Sequence, residues 1–143
     1  MKPGGVVSEE LKRAFSQCLL EAGDEGPITE VSTVGGGDIN HAGRITTPAR
    51  RYFVKWHNSP PPRFFECEAR GLCLLQQAGA ARVPEVVGHG AVPGSQTTFL
   101  ILEWIDRNGG KYTAARELGR HLPDQHRRVH TQYGLEYGNY IGQ

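Results

Sequence analysis

The chain has 143 residues, with 16 Lys and Arg against 15 Asp and Glu and a formal net charge of +1. That balance excludes a chain built to neutralise many nucleic-acid phosphates or to coat an anionic membrane. Hydrophobic residues make up 38%, enough for the core of a single domain of this size, and 19 glycines with 9 prolines describe a turn-rich fold rather than a disordered chain.

The apolar run Phe99 to Leu102, which no other run exceeds, is far below the ~20 residues of a membrane-spanning helix. The opening MKPGGVVSEELKR lacks the apolar stretch of a signal peptide, so a cytoplasmic protein with no membrane and no nucleic-acid partner is expected. Cys18, Cys67 and Cys73 cannot all pair with one another and form no CxxC motif, which predicts reduced thiols in or near the core.

Ser8 is placed to cap a helix running to about Leu20, with Glu9 and Glu10 at its positive end and Leu11, Phe15, Cys18 and Leu19 at helical spacing. Gly23 and Gly26-Pro27 stop it. From Ile28 to about His57 three β-prone stretches, divided by Gly35-Gly36-Gly37 and Thr47-Pro48, predict an antiparallel meander whose clearest strand is RYFVKWH. Pro60 to Pro62 lead into a helix from about Arg63 to Ala78, closed by Gly79. Two strands, about Glu85 to Val92 and Thr97 to Ile105, are joined by the turn Pro93-Gly94-Ser95-Gln96. Beyond Asp106, Ala114, Ala115, Leu118 and Leu122 suggest a further helix that Pro123 would kink. The order of elements predicts an α+β fold with one antiparallel sheet.

Four features carry candidate chemistry. The Gly35-Gly36-Gly37 turn, followed by Asp38-Ile39-Asn40, can bring backbone N–H groups close to a phosphate, or can be a turn with no ligand; it is neither a Walker A loop nor a dinucleotide fingerprint. On RYFVKWH, alternation puts Tyr52, Val54 and Trp56 on one face and Phe53, Lys55 and His57 on the other. On the next helix Phe65, Glu68, Leu72 and Leu75 share a face, which sets a carboxylate within an apolar stripe. A buried, unpaired carboxylate costs several kcal/mol, so Lys55 is its expected partner, while Glu66 and Arg70 read as a solvated i, i+4 pair. A glycine turn, a strand lysine, a helix glutamate and an apolar strand entering a loop follow the order of parts in the N-terminal lobe of kinase-like phosphotransferases.

The stretches VGGGDINHAGRI, YFVKWH, FFECEARGLCLL, VPEVVGHG, FLILEWI, LGRHL with QHR, and QYGLEYGNYIG resemble the N-terminal half of bacterial fructosamine kinases (ketosamine 3-kinases), over roughly residues 8 to 143. The resemblance implies a protein kinase-like N-lobe: a five-stranded antiparallel sheet with a packed helix, plus N-terminal and C-terminal helices. Residues 1–106 would be the ATP-binding lobe and 107–143 the hinge and the start of a second lobe. The implied activity is ATP-dependent phosphorylation of the sugar 3-hydroxyl of ketosamines on glycated amines and proteins. Gly35, Gly36, Gly37 and Asn40 match the phosphate-covering loop, Lys55 the phosphate-contacting lysine and Glu68 its ion-pair partner. Glu103, Trp104 and Ile105 match the hinge that meets the adenine edge.

Two departures stand beside the resemblance. Some family members carry Cys where this chain has Asp38, and Pro123 replaces a helix-forming residue. No HGD-type catalytic loop occurs; His89-Gly90-Ala91 is the nearest string. Phosphoryl transfer depends on a positioned base and Mg²⁺ ligands, so no catalytic or metal-binding residue is assigned within this chain, which reads as a nucleotide-binding half. A lone lobe would expose apolar surface around Leu102, Trp104 and Ile105 and self-associate there. His126 and His130 at i, i+4 could hold a metal and Arg116, Arg120, Arg127 and Arg128 could touch nucleic acid, but both sets read as solvated faces. Two alternatives remain: an aminoglycoside or choline kinase-like phosphotransferase, and a non-catalytic nucleotide-binding remnant or interaction module.

Overall fold

A computed structural model describes residues 7–34, 40–79 and 82–105. Along them run α1 (Glu9–Glu21), β1 (Glu30–Val34), β2 (His41–Thr46), β3 (Arg51–His57), α2 (Phe64–Ala78), β4 (Val86–Ala91) and β5 (Thr98–Glu103). The five strands form one antiparallel sheet in the order β1-β2-β3-β5-β4. The expected helix near Ala114 lies outside the described residues, as do Gly35, Gly36, Gly37 and Asp38.

The local signals act as their chemistry requires. Ser8 Oγ accepts the Leu11 N–H at 3.2 Å, satisfying one of the orphan donors at the start of α1. At the other end Gly23, with φ of +102°, lets its own N–H and that of Asp24 turn back to the Leu20 and Leu19 carbonyls. Gly79 closes α2 in the left-handed conformation, as its position predicts. Arg63, ahead of α2, is left-handed too (φ 60°), and its guanidinium forks onto Glu66 with Nε and Nη2 contacts of 3.1 and 2.9 Å. Glu66 therefore takes Arg63, not Arg70, as its bidentate partner. That fork is the leading reason its carboxyl sits below the usual range, with the charge of Arg70 a smaller contribution.

Both faces of the sheet are packed. Tyr52, Val54 and Trp56 of β3 join Ile45, Phe99 and Ile101 beneath Leu11, Phe15 and Leu19 of α1. Phe15 is fully buried and meets Phe99 and Trp56 edge to face, with centroids 5.0 and 6.2 Å away. Burying such a side chain stabilises by about 1.5–3 kcal/mol. α1 also crosses β4, where Gly88 leaves room for Cys18: a Cβ there would lie 2.5 Å from the sulfur. On the opposite face Phe65 and Ala69 of α2 cover Leu100 and Leu102 of β5, with Phe53, Leu72 and Val86 packed around them.

Three expectations are corrected here. The α2 stripe ends at Leu72, and Leu74 and Leu75 are exposed, because the apolar partners that the sheet offers α2 stop at Phe53, Val86, Leu100 and Leu102. Cys73 falls on that same exposed turn, whereas Cys67 is buried and Cys18 half-buried. Leu102 is not a surface residue, since α2 covers it; Ile105 beyond it is exposed.

Candidate functional site

The site begins with strand parity. Because Tyr52, Val54 and Trp56 are drawn into the α1 core, Phe53, Lys55 and His57 must face the α2 side. On α2, Phe65, Ala69 and Leu72 seat the helix against β5, and Glu68 shares their face. The two placements converge: Lys55 Nζ lies 2.5 Å from Glu68 Oε1. The side chains are 27% and 30% exposed, open enough for the lysine to meet a solute and closed enough that each charge needs the other.

The register defines what surrounds them. Ala42, Lys55 and Leu100 stand opposite one another across β2, β3 and β5, and Arg44, Phe53 and Leu102 form the next row on the same face. Val34 and Ser32 of β1 extend these two rows. α2 covers the β5 end of each row. Toward β1, Val34 is exposed, while Ala42, Arg44 and Phe53 are half-buried. At the head of β2 Asn40 Oδ1 is buried with no hydrogen-bond partner among the described residues, and leaving such an acceptor unmet costs about 1–3 kcal/mol.

At the far end the chain leaves β5 held in place. The Glu103 N–H donates to the Glu85 carbonyl at 2.8 Å, and its carboxylate meets Arg82 at 3.3 Å. Trp104 follows, half-buried, with its ring centroid 6.4 Å from that of Phe53 and the Arg44 guanidinium carbon 5.7 Å above it. Sequence reasoning placed Trp104 at the hinge and Phe53 on the face of Lys55 but did not single out Arg44. The parity that put Lys55 on this face puts Ala42 and Arg44 there as well, once the β2–β3 register is known.

Among the described residues no three His, Cys, Asp or Glu side chains converge as a metal site. No helix among them is long and apolar enough to cross a membrane. A second polar cluster lies on the α1 side, away from Lys55. There the Thr47 hydroxyl and the Tyr52 phenol each donate to Asp24 Oδ2 at 2.7 Å, tying the end of α1 to the β2–β3 turn. Those two bonds, Thr47's first, hold the Asp24 carboxyl below the usual range, while burial and then Asp24 push Tyr52 up to about 12.

A strand lysine paired to a helix glutamate on the α2 side of a five-stranded antiparallel sheet defines the N-terminal lobe of the protein kinase-like fold. The crystal structure of a fructosamine-3-kinase candidate from Haemophilus somnus 129PT is similar, with a TM-score of 0.79 and 26% identity over 90% of this chain and 43% of that one. The fructosamine kinase family model matches residues 11–143, and the chain belongs to that family. It is 37% identical over 126 residues to the protein-ribulosamine 3-kinase, chloroplastic, of Arabidopsis thaliana, covering 87% of this chain and 38% of the relative. Against a ketoamine kinase candidate of Enterococcus faecium it is 35% identical, covering 79% of this chain and 38% of that protein. The chain thus spans about two fifths of the length of the curated relatives it matches.

Proposed function

We propose that these residues are the nucleotide-binding lobe of an ATP-dependent ketosamine 3-kinase, which phosphorylates the sugar 3-hydroxyl of glycated amines and proteins. The observation that carries the reading is the Lys55–Glu68 pair at 2.5 Å, on the sheet face it shares with Ala42, Arg44 and Phe53. In phosphoryl transfer catalysis is largely positioning and electrostatics, and a lysine held by a helix glutamate supplies a fixed cation for the nucleotide phosphates. In this reading Gly35, Gly36 and Gly37 cover the phosphates and Asn40 offers its unmet Oδ1 to a donor at the same end. Val34, Ala42 and Phe53 form the floor for the base, and the backbone of Glu103 to Ile105 meets its edge. Residues 1–106 make up the lobe, and 107–143 lead out of it.

The sequence contains no HGD string, and this reading assigns no general base and no Mg²⁺ ligand within it. The membership of the fructosamine kinase family supports the ketosamine over an aminoglycoside or choline as acceptor. The test is calorimetric titration of the chain with MgATP, beside an assay of ADP release with fructosyl-lysine. Binding without turnover is the expected result. Turnover would show that a base and metal ligands are supplied within the chain or across a dimer, and the absence of binding would leave a non-catalytic module.

A further inference from the structure

The face that carries Lys55 holds a second cation, Arg44, to which the nucleotide-lobe reading so far gives no role. Arg44 stands opposite Phe53, one row away from the Ala42–Lys55 row and further from the β1–β2 turn. Asn40 and Arg44 are four residues apart, which along a strand is about 13 Å. Phosphates held at the Lys55 and Asn40 end leave Arg44 beside whatever is attached to them. Its guanidinium is set over Trp104, and its Nε is buried without a hydrogen-bond partner among the described residues. A planar cation fixed against an aromatic ring keeps its N–H donors in a defined plane, which suits a flat ligand bearing ring nitrogen or hydroxyl acceptors.

The geometry points to Arg44 as the residue that reads the nucleoside end of the phosphoryl donor, donating to an acceptor of its base or ribose while Lys55 holds its phosphates. This rests on the nucleotide-lobe reading and adds a specificity residue to it. Phe53 and Ala42, an aromatic and a small side chain, stand opposite Arg44 and Lys55 on this face.

Calorimetry on the full chain with two probes separates the roles: MgATP carries both ends, and tripolyphosphate with Mg²⁺ carries the phosphates alone. Arg44→Met, which keeps the aliphatic stem, is expected to weaken MgATP by about fivefold or more, the loss of one hydrogen bond, and to leave tripolyphosphate within about twofold of wild type. Lys55→Met is expected to weaken both. If Arg44→Met does not fold, Arg44→Lys carries the test, since it keeps the charge and loses the Nε donor; a loss of about threefold or more for MgATP alone is expected. Equal loss for both probes would make Arg44 a phosphate contact, and unchanged MgATP affinity would make it a packing residue; either overturns the inference while leaving the nucleotide lobe intact. Wild-type chain that binds neither probe would remove both readings.

Discussion

Replacing Lys55 with Ala separates what the ion pair does for folding from what it does for a ligand. The pair is short, at 2.5 Å, but both side chains keep more than a quarter of their surface in water. An ion pair this open contributes about 0.2–1 kcal/mol to folding, so the melting temperature of Lys55→Ala should fall by no more than about 8 °C. A hydrogen bond from an ammonium to a phosphate contributes about 1.5–3 kcal/mol to binding, which corresponds to roughly 10- to 150-fold in Kd. Titration with MgATP should therefore show at least a tenfold loss in a variant that still melts cooperatively. Glu68→Ala leaves the lysine in place but unanchored and should lose less, and the double variant should bind no more weakly than Lys55→Ala alone. A Kd for Lys55→Ala within about twofold of wild type would refute the assignment, whatever its stability.

Two further outcomes test the scaffold. Gly88→Ala brings a Cβ to 2.5 Å from Cys18 Sγ and should cost about 1–3 kcal/mol in urea denaturation, with Cys18→Ala restoring a large part of it; an unperturbed Gly88→Ala would show that α1 and β4 can part freely. Tyr52, whose ordinary value is 10.0, is pushed up to about 12 by burial first and by its bond to Asp24 second. The folded state holds that proton more tightly than the unfolded one, so the contribution is complete below about pH 10 and drains away as pH rises towards 12. Tyr52→Phe should flatten this part of the stability profile, and an identical alkaline decline in the variant would locate the cause elsewhere.

Much of the fold is legible along the chain because its signals are local. Ser8 followed by Glu9 and Glu10, Gly23, Gly79 and the Pro93-Gly94 turn act within a few residues of themselves, and each element they bound lies where its spacing puts it. Strand parity is equally local, so the separation of Val54 from Lys55 needed only RYFVKWH. The partnership of Glu68 with Lys55 was open to reasoning as well, because a carboxylate inside an apolar stripe demands a cation.

Other features depended on which elements meet. That β5 rather than β4 lies beside β3 is a choice of strand order, decided by which strand can bury apolar residues on both faces; Phe99, Leu100, Ile101 and Leu102 can, and the glycine-bearing β4 cannot. The same choice buries Leu102, ends the α2 stripe at Leu72 and leaves Leu75 and Cys73 outside. Arg44 over Trp104 and Asp24 between Thr47 and Tyr52 join residues far apart in the chain, and no spacing announces them. The sequence by itself determined the elements, their boundary signals, the division of each strand into two faces and the charged pair, since these follow from backbone geometry and the cost of burying charge. Only the tertiary structure decided the strand order and the neighbours of that pair, because those depend on the packing of surfaces brought together from distant parts of the chain.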